Sequence, residues 1–179
     1  GIKIRAGIED MTAEKFLDGV KDLPWKTVMI HGRTYEEGFS GKADWKLVKR
    51  IKKKFPNRKV VVNGGIFSPE EAEQALAESN ADAIALGQGV LGKPWLFAQI
   101  KDQFFNGRYH EVSVAEIKKV VLFHLKLLLE EKPEKGIFEF RKHLAWYFKG
   151  IPNATKLRAR LVRVLTYKDV VDILKEVAD

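Results

Sequence analysis

The sequence of 179 residues predicts an α/β part that is followed by an all-helical part. Four short apolar segments alternate with helix-like segments in the first part, and their continuous apolar character is typical of parallel strands buried on both faces. No further convincing strand pattern follows Pro94. Glycine and proline residues then separate a series of helical patterns. We place the boundary between residues 105 and 112, which gives predicted domains of residues 1–108 and 109–179.

The first strand pattern lies in the opening stretch GIKIRAGIED, where Ile2, Ile4 and Ala6 alternate with Lys3 and Arg5. The other predicted strands are shorter and more uniformly apolar. They cover residues 27–30, 59–62 and 83–86.

Helix-like spacing of apolar residues separates these strands and fills the second part. In the α/β part, Thr12 and Ser68 are predicted N-caps, and Pro69 suits the first position of a helix. The predicted helices cover residues 11–23, 44–55, a segment that begins at 69, and then 95–105, 114–130, 137–147, 154–165 and 168–177.

The composition limits the chemistry that these residues can perform. They include no cysteine, which excludes disulfides, thiolate metal sites and a cysteine nucleophile within the sequence. The four histidines do not form a metal-binding pattern. The absence of cysteine favours a cytoplasmic location. No apolar stretch is long enough to span a bilayer and the first residues do not resemble a signal peptide, so we expect no membrane partner.

The formal net charge of +8 indicates either a polyanionic partner, most commonly nucleic acid, or a lysine- and glutamate-rich surface of the thermophilic type. The cations are unevenly distributed along the chain. Residues 141–168 contain eight Lys and Arg residues and no Asp or Glu. Residues 46–59 (KLVKRIKKKFPNRK) also contain Lys and Arg but no Asp or Glu. This distribution favours a nucleic-acid partner.

Three predicted strands end in polar turns that contain glycine, with the sequences IHGRT, VNGG and LGQG. Parallel α/β proteins bind ligands at the carboxyl ends of strands, where glycine lets the backbone approach a ligand and free amides hold phosphate. A tight chain reversal explains any one of these turns, but two in consecutive units favour a phosphate site. His31 is either a ligand contact or a buried structural imidazole. Lys3 either reaches an anionic or electron-rich ring or is exposed on an edge strand.

Basic and aromatic residues are interleaved in the helical part. Arg141 and Lys142 are followed about one turn later by Trp146 and Tyr147. Further cations then follow, namely Lys156, Arg158, Arg160 and Arg163. This pattern favours a surface that tracks an RNA backbone and stacks bases, although a basic solvated face over an aromatic core would give the same pattern.

The order of four motifs resembles that of the tRNA-dihydrouridine synthases: IHGRT-YEEGFSGKADW, VVVNGGIFSPEEAEQAL, ADAIALGQGVLGKPWLFAQI and FRKHLAWYFKG. Members of that family are FMN-dependent enzymes that reduce a uridine of tRNA with NADPH. The resemblance runs over nearly the whole chain. It implies the C-terminal half of a (β/α)₈ TIM barrel followed by an all-α helical bundle domain that binds tRNA.

The resemblance also implies two groups of functional residues. Those implied to bind FMN are Lys3 and His31 at the flavin ring, Asn63, Gly64 and Gly65 at the ribityl-phosphate end, and Gly87 and Gln88 at the phosphate. At the tRNA surface the resemblance places Arg141, Lys142 and His143 in the family's basic motif. Together with the cations of the basic pattern, the predicted tRNA contacts are Arg33, Arg141, Lys142, His143, Lys156, Arg158, Arg160 and Arg163.

The sequence departs from the family pattern at two of these positions. Gly65 stands where the family has an acidic residue, and Gln88 stands where it has arginine. The second difference removes a charge-assisted contact to the phosphate, which predicts weaker FMN binding.

A larger departure concerns the start of the barrel. The family has four further βα units before KIRAG, and they carry a flavin-binding loop and the catalytic cysteine, so we expect this chain alone to be inactive. Half a barrel leaves two open sheet edges, which the N-terminal half of a barrel or a second copy would cover. The alternatives are a non-catalytic RNA-binding module with a vestigial α/β half, and a different phosphate-binding barrel whose helices are structural.

Overall fold

The computed structural model describes residues 1–151 and 154–178. Pro152, Asn153 and Asp179 fall in the predicted helical part and lie outside the described residues. The chain divides into two compact units. Unit 1 comprises Gly1–Val90 and Leu96–Tyr109, and unit 2 comprises Leu91–Trp95 and the described residues from His110 onward.

Unit 1 is a mixed α/β structure built on a parallel sheet. The sheet order is β1-β4-β5-β6, and a short antiparallel pair, β2 and β3, follows the first strand. The elements are β1 (Ile2–Arg5), β2 (Gly7–Ile8), β3 (Met11–Thr12), α1 (Ala13–Gly19), β4 (Thr27–His31), α2 (Trp45–Lys54), β5 (Lys59–Asn63), α3 (Pro69–Ser79), β6 (Ala83–Ala85) and α4 (Leu96–Asn106), with a 3₁₀ turn at Gln88–Val90.

The two faces of the parallel sheet differ in burial. Ile4, Ile30, Val62 and Ile84 lie in register across the four strands and belong to the unit 1 core. Since successive side chains of a strand alternate between faces, the residues beside them project from the other face. That second face carries Lys3, Arg5, Met29, His31 and Asn63, and most of these are only partly buried. The sheet thus presents an apolar side to the helices and a more polar side to a cavity.

Side-chain caps begin the helices of unit 1. The hydroxyls of Thr12 and Ser68 accept hydrogen bonds from the amides of Lys15 and Glu71, which confirms both predicted caps. Helix α1 ends at Gly19, earlier than the predicted residue 23. The reason is that Pro24 has no amide hydrogen and disfavours helical geometry at Leu23. The chain turns instead, with the Leu23 amide and the Trp25 indole both donating to the Val20 carbonyl, at 3.1 and 2.9 Å. The β2–β3 pair was not predicted, because two-residue strands show no alternation.

Unit 2 contains four helices among its described residues, and no strand follows Pro94 there, as predicted. They are α5 (Val114–Glu131), α6 (Gly136–Tyr147), α7 (Ala154–Leu161) and α8 (Tyr167–Lys175). Their core includes Leu125, Phe140, Leu144, Phe148 and Leu161. Helix α7 stops before the predicted residue 165, because the amides of residues 165 and 166 donate to the Asp169 carboxylate and begin α8 instead. No helix in the described ranges has the length and apolarity needed to cross a membrane.

Candidate functional site

The carboxyl ends of the four parallel strands meet in one row. Arg5, His31, Asn63 and Ala85 are aligned in the strand register. The amide Nδ2 of Asn63 donates to the Ala85 carbonyl at 2.7 Å, and the Gly32 amide donates to the Asn63 carbonyl at 3.1 Å. These bonds fix the turns that follow β4, β5 and β6 beside one another.

A cavity of about 380 Å³ opens at this row. Its volume is within the range of pockets that bind small organic ligands. All of the residues predicted to bind a cofactor line it, together with Arg33. Its lining also includes residues that were not predicted, chiefly Arg5, Met29, Phe39, Phe67, Ala85 and Leu86.

His31 lines the cavity and is 6% exposed. Its Nε2 is 3.3 Å from Nη1 of Arg33, and since a guanidinium only donates, Nε2 accepts and the ring proton stays on Nδ1. Burial lowers the pKa of His31 below its ordinary value of 6.5, and the nearby cations Arg5, Arg33 and Lys3 lower this pKa further. The imidazole is therefore neutral at physiological pH and able to donate one hydrogen bond.

Gly64 permits this position of the imidazole. A Cβ on Gly64 would lie 2.7 Å from His31 Nε2, and the residue has a φ of +95°, which disfavours any side chain. The Gly64 carbonyl accepts a hydrogen bond of 3.0 Å from Nε1 of Trp45. Gly64 is thus required by its packing against His31, and not only by the reversal of the chain.

Arg33 belongs to the cavity and is 7% exposed. Its Nε and Nη2 donate to the Gly41 carbonyl at 3.1 and 2.7 Å. Arg5 fixes the same loop, because its Nη1 donates to the carbonyls of Thr34 and Gly38, each at 2.8 Å. The Arg5 guanidinium also lies 5.5 Å from the centre of the Phe39 ring. Arg5 is two positions after Lys3 in β1, so both side chains lie on the same face of the sheet. This spacing was the sequence signal that could have placed Arg5 in the site with Lys3.

The cavity has a positive lining. Lys3, Arg5 and Arg33 contribute cations, and none of the described residues that line the cavity is acidic. The described ranges also hold no group of histidine and carboxylate residues placed to bind a metal ion. This environment suits an organic ligand that carries an anionic group.

The dihydrouridine synthase family model matches residues 1–178 of the chain. The chain belongs to the dihydrouridine synthase family. It is 34% identical over 178 residues to a probable tRNA-dihydrouridine synthase 1 of Synechocystis sp., covering 98% of this chain and 50% of that relative. It is 33% identical to a probable tRNA-dihydrouridine synthase of Mycobacterium leprae, with 94% and 45% covered, and 29% identical to one of Aquifex aeolicus, with 97% and 54% covered. The chain therefore spans about half the length of these relatives.

The cations of unit 2 in this dihydrouridine synthase family member fall into two groups. Arg141 and Arg160 have protein partners, since Arg141 donates twice to the Val164 carbonyl and Arg160 pairs with Glu176 at 2.6 Å. Arg158 is half-buried and donates to the Ala154 carbonyl. Of the cations predicted to contact RNA, the other three in unit 2 are exposed and, within the described residues, form no ion pair: Lys142, Lys156 and Arg163.

His143 lies in an aromatic cluster of unit 2. Its ring centre is 5.1 Å from that of His124 and 5.1 Å from that of Trp146. His124 Nδ1 is 3.0 Å from the hydroxyl of Tyr147. Burial lowers the pKa values of His124 and His143 and raises the pKa of Tyr147. His143 is thus half-buried among aromatic rings, and its contact with RNA stays a prediction.

Proposed function

We propose that this chain is the C-terminal portion of a flavin-dependent enzyme that reduces uridine in tRNA to 5,6-dihydrouridine. The observation that carries the proposal is the cationic cavity at the strand ends, lined by Lys3, His31 and two glycine turns, in a member of the dihydrouridine synthase family. Relatives that share about a third of its residues are named as probable tRNA-dihydrouridine synthases.

The volume and the positive lining of the cavity support the proposal that it binds FMN. A Cβ on Gly89 would clash with the Ile66 carbonyl, and one on Gly64 would clash with His31, so neither turn accepts a side chain at these positions. Exposed backbone amides and nearby cations are the groups that hold phosphate. In the proposal Asn63, Gly64 and Gly65 hold the ribityl-phosphate end, and Gly87 and Gln88 hold the phosphate.

When bound and reduced by NADPH, FMN would supply the hydride that uracil accepts. The residues of this chain would orient the flavin and polarise its ring. Lys3 would contribute a positive charge that stabilises negative charge on that ring. Neutral His31 keeps its proton on Nδ1 through its contact with Arg33 and can donate a hydrogen bond to the ring.

The uracil also needs a proton, and these 179 residues contain no cysteine to supply it. We propose that the acid belongs to the part of a barrel that the chain does not span. Two observations support a covering partner, either that half of a barrel or a second copy. First, β1 and β6 each pair with a single strand of the described sheet. Second, apolar side chains are exposed on elements that follow the two edge strands in the chain, among them Met11 and Phe16 after β1 and Phe97 and Phe104 on α4.

Unit 2 is proposed to bind the tRNA backbone through its exposed cations, Lys142, Lys156 and Arg163. Arg33, Arg141, His143, Arg158 and Arg160 were also predicted as contacts, and their protein partners make a supporting role the simpler proposal. Recognition of tRNA by shape and phosphates suits such a surface.

Two measurements on the purified chain test the proposal. Titration with FMN should shift the visible absorption spectrum of the flavin, and incubation with NADPH and unmodified tRNA should give no dihydrouridine. Turnover by the chain alone would contradict the proposal that the acid lies elsewhere. Absence of flavin binding together with salt-sensitive tRNA binding would indicate the non-catalytic RNA-binding module instead.

A further inference from the structure

Helix α2 of unit 1 presents a basic face that the proposed cofactor site does not use. Its buried residues are Leu47, Val48 and Ile51. The opposite side exposes Lys46, Lys49, Arg50 and Lys53, whose spacing of three and four residues places them on one face of the helix. With Ala77 and Glu78 of α3 they line a shallow groove of about 500 Å³.

The cations of α2 differ in whether the protein neutralises them. Lys52 pairs with Asp82 at 2.9 Å, Lys54 with Asp18 at 2.5 Å, and Arg50 with Glu14 at 3.3 Å. In the described ranges, no carboxylate pairs with Lys46, Lys49 or Lys53. The carboxylate of Glu78 accepts a hydrogen bond of 2.6 Å from Gln74 of its own helix.

The helix dipole does not account for these three lysines. Cations stabilise the last turn of a helix and are unfavourable near its first turn. Lys46 is the second residue of α2 and Lys49 is the fifth, so only Lys53 gains from the dipole. Like charges three and four residues apart also destabilise a helix. The three lysines therefore destabilise α2 in the isolated protein. A bound anion from outside the protein would remove this effect by neutralising their charges.

We propose that Lys46, Lys49 and Lys53 form an RNA-backbone contact on unit 1, separate from the cations of unit 2. The seven-residue span from Lys46 to Lys53 is about 10 Å along the helix axis, which matches about three successive phosphates of one strand. Lysines are compact charges without the planar fork of arginine, so they contact phosphates without selecting bases. The inference rests on the proposed function only in taking RNA as the ligand.

The test is the salt dependence of tRNA binding to the full chain, measured by fluorescence anisotropy of labelled tRNA. The triple variant Lys46→Gln, Lys49→Gln and Lys53→Gln removes three charges and keeps good helix formers. We expect the slope of log K against log [salt] to decrease by about two to three and the affinity to fall by roughly tenfold or more. The thermal midpoint at low salt should stay the same or rise, since the repulsion is removed.

The matched control is Lys21→Gln, Lys26→Gln and Lys101→Gln, which removes three exposed charges elsewhere in unit 1. We expect its affinity to change by less than about threefold. Equal losses in both triple variants would overturn the proposal, because net charge alone would explain them. Equally tight and equally lysine-dependent binding of polyglutamate would also overturn it, in favour of an acidic protein partner.

A third variant separates this inference from the proposed function. Lys142→Gln with Lys156→Gln and Arg163→Gln removes the three cations of unit 2 that are proposed to bind tRNA. If it abolishes binding and the α2 variant does not, the α2 contact is wrong and the unit 2 surface stands. The reverse result supports α2 and contradicts the unit 2 surface, and a chain that binds no tRNA overturns both.

Discussion

Gly64 determines where the His31 imidazole can lie. The backbone at Gly64 has a φ of +95°, and any Cβ there would enter the space of the imidazole ring. His31 in turn holds its tautomer through Arg33, and Arg33 is held by the Gly41 carbonyl. One glycine therefore supports a chain of contacts that reaches from β5 to the loop after β4.

Gly64→Ala should disrupt both stability and the cavity. The strained backbone and the displaced imidazole should lower the free energy of unfolding by roughly 2 kcal/mol, measured by urea denaturation. FMN affinity should fall by at least about tenfold in a spectral titration. Gly87→Ala is the control for stability, because nothing lies within 4 Å of a Cβ at that position. An equal loss of stability in the two variants would contradict the packing role assigned to Gly64.

Gln88→Arg should strengthen binding of a phosphate-bearing flavin. Gln88 is exposed and lines the cavity, so a longer cationic side chain fits there without repacking the core. A charge-assisted hydrogen bond is about twice as strong as a neutral one, which predicts an FMN affinity increase of about five- to tenfold. The affinity for riboflavin, which lacks the phosphate, should not change. An equal gain for both ligands would show that the phosphate does not lie near Gln88.

At the scale of elements, Arg141 connects α6 to the turn that precedes α8. Its Nε and Nη2 both donate to the Val164 carbonyl, at 2.9 and 2.7 Å, and its guanidinium lies 4.7 Å from the centre of the Phe138 ring. Arg141→Lys keeps the charge but loses the planar pair of donors. We expect the free energy of unfolding of unit 2 to fall by about 1–2 kcal/mol in urea denaturation.

Lys142→Gln is the control for Arg141→Lys, because Lys142 is exposed and forms no ion pair in the described part of unit 2. It should leave stability unchanged and weaken tRNA binding. If Arg141→Lys instead weakened tRNA binding at unchanged stability, Arg141 would be a direct RNA contact.

The histidines of α5 and α6 should make unit 2 sensitive to acid. Burial lowers the pKa values of His124 and His143, and each also faces the other ring, with Lys142 adding a further positive charge beside His143. Because their folded-state pKa values lie below the ordinary 6.5, the unfolded chain binds protons first. Stability is therefore full above about pH 6.5 and falls as the pH drops below it.

The measurement is the thermal midpoint of unit 2, followed by circular dichroism between neutral and mildly acidic pH. The double variant His124→Gln and His143→Gln should flatten the decline between pH about 7 and 5.5. A decline that is unchanged in this variant would assign the acid sensitivity to other groups.

Local sequence rules predicted the elements better than they predicted the side-chain partners. Thr12 and Ser68 were found as caps because a cap depends on residues only three positions away. Arg160 was assigned to an RNA surface because residues 141–168 lack acids, but its partner Glu176 lies beyond that stretch. Arg33 was also assigned to RNA, and its burial depends on how the loop to Gly41 folds back. Neither Glu176 nor Gly41 can be recognised as a partner from the residues that immediately surround these arginines.

At the scale of the whole molecule, the open sheet edges predict self-association. Exposed apolar residues follow β1 and also occur on α4, where Phe97 is 59% and Phe104 is 44% exposed. Strand edges and apolar patches of this kind promote association. Light scattering should therefore give a mass above the monomer value of 20.4 kDa in the micromolar range.

Phe97→Ser with Phe104→Ser should reduce that association, because the two residues are seven positions apart on one face of α4. Phe123→Ser is the control, since Phe123 is 64% exposed on α5 in unit 2. A strictly monomeric wild-type chain, or equal effects of both variants, would contradict the role of the α4 face.

The Trp45 indole lies between the cavity and the basic face of α2. It is the first residue of that helix, it donates to the Gly64 carbonyl, and its ring would be 3.5 Å from a Cβ on Gly65. The protein therefore carries an intrinsic fluorophore at the junction of its two proposed binding surfaces. The part of the tryptophan emission that is lost in a Trp45→Phe variant belongs to this residue, one of four tryptophans in the sequence. Quenching of that part by a ligand in the cavity, and a change in it when an anion docks on α2, would report both events without an added label.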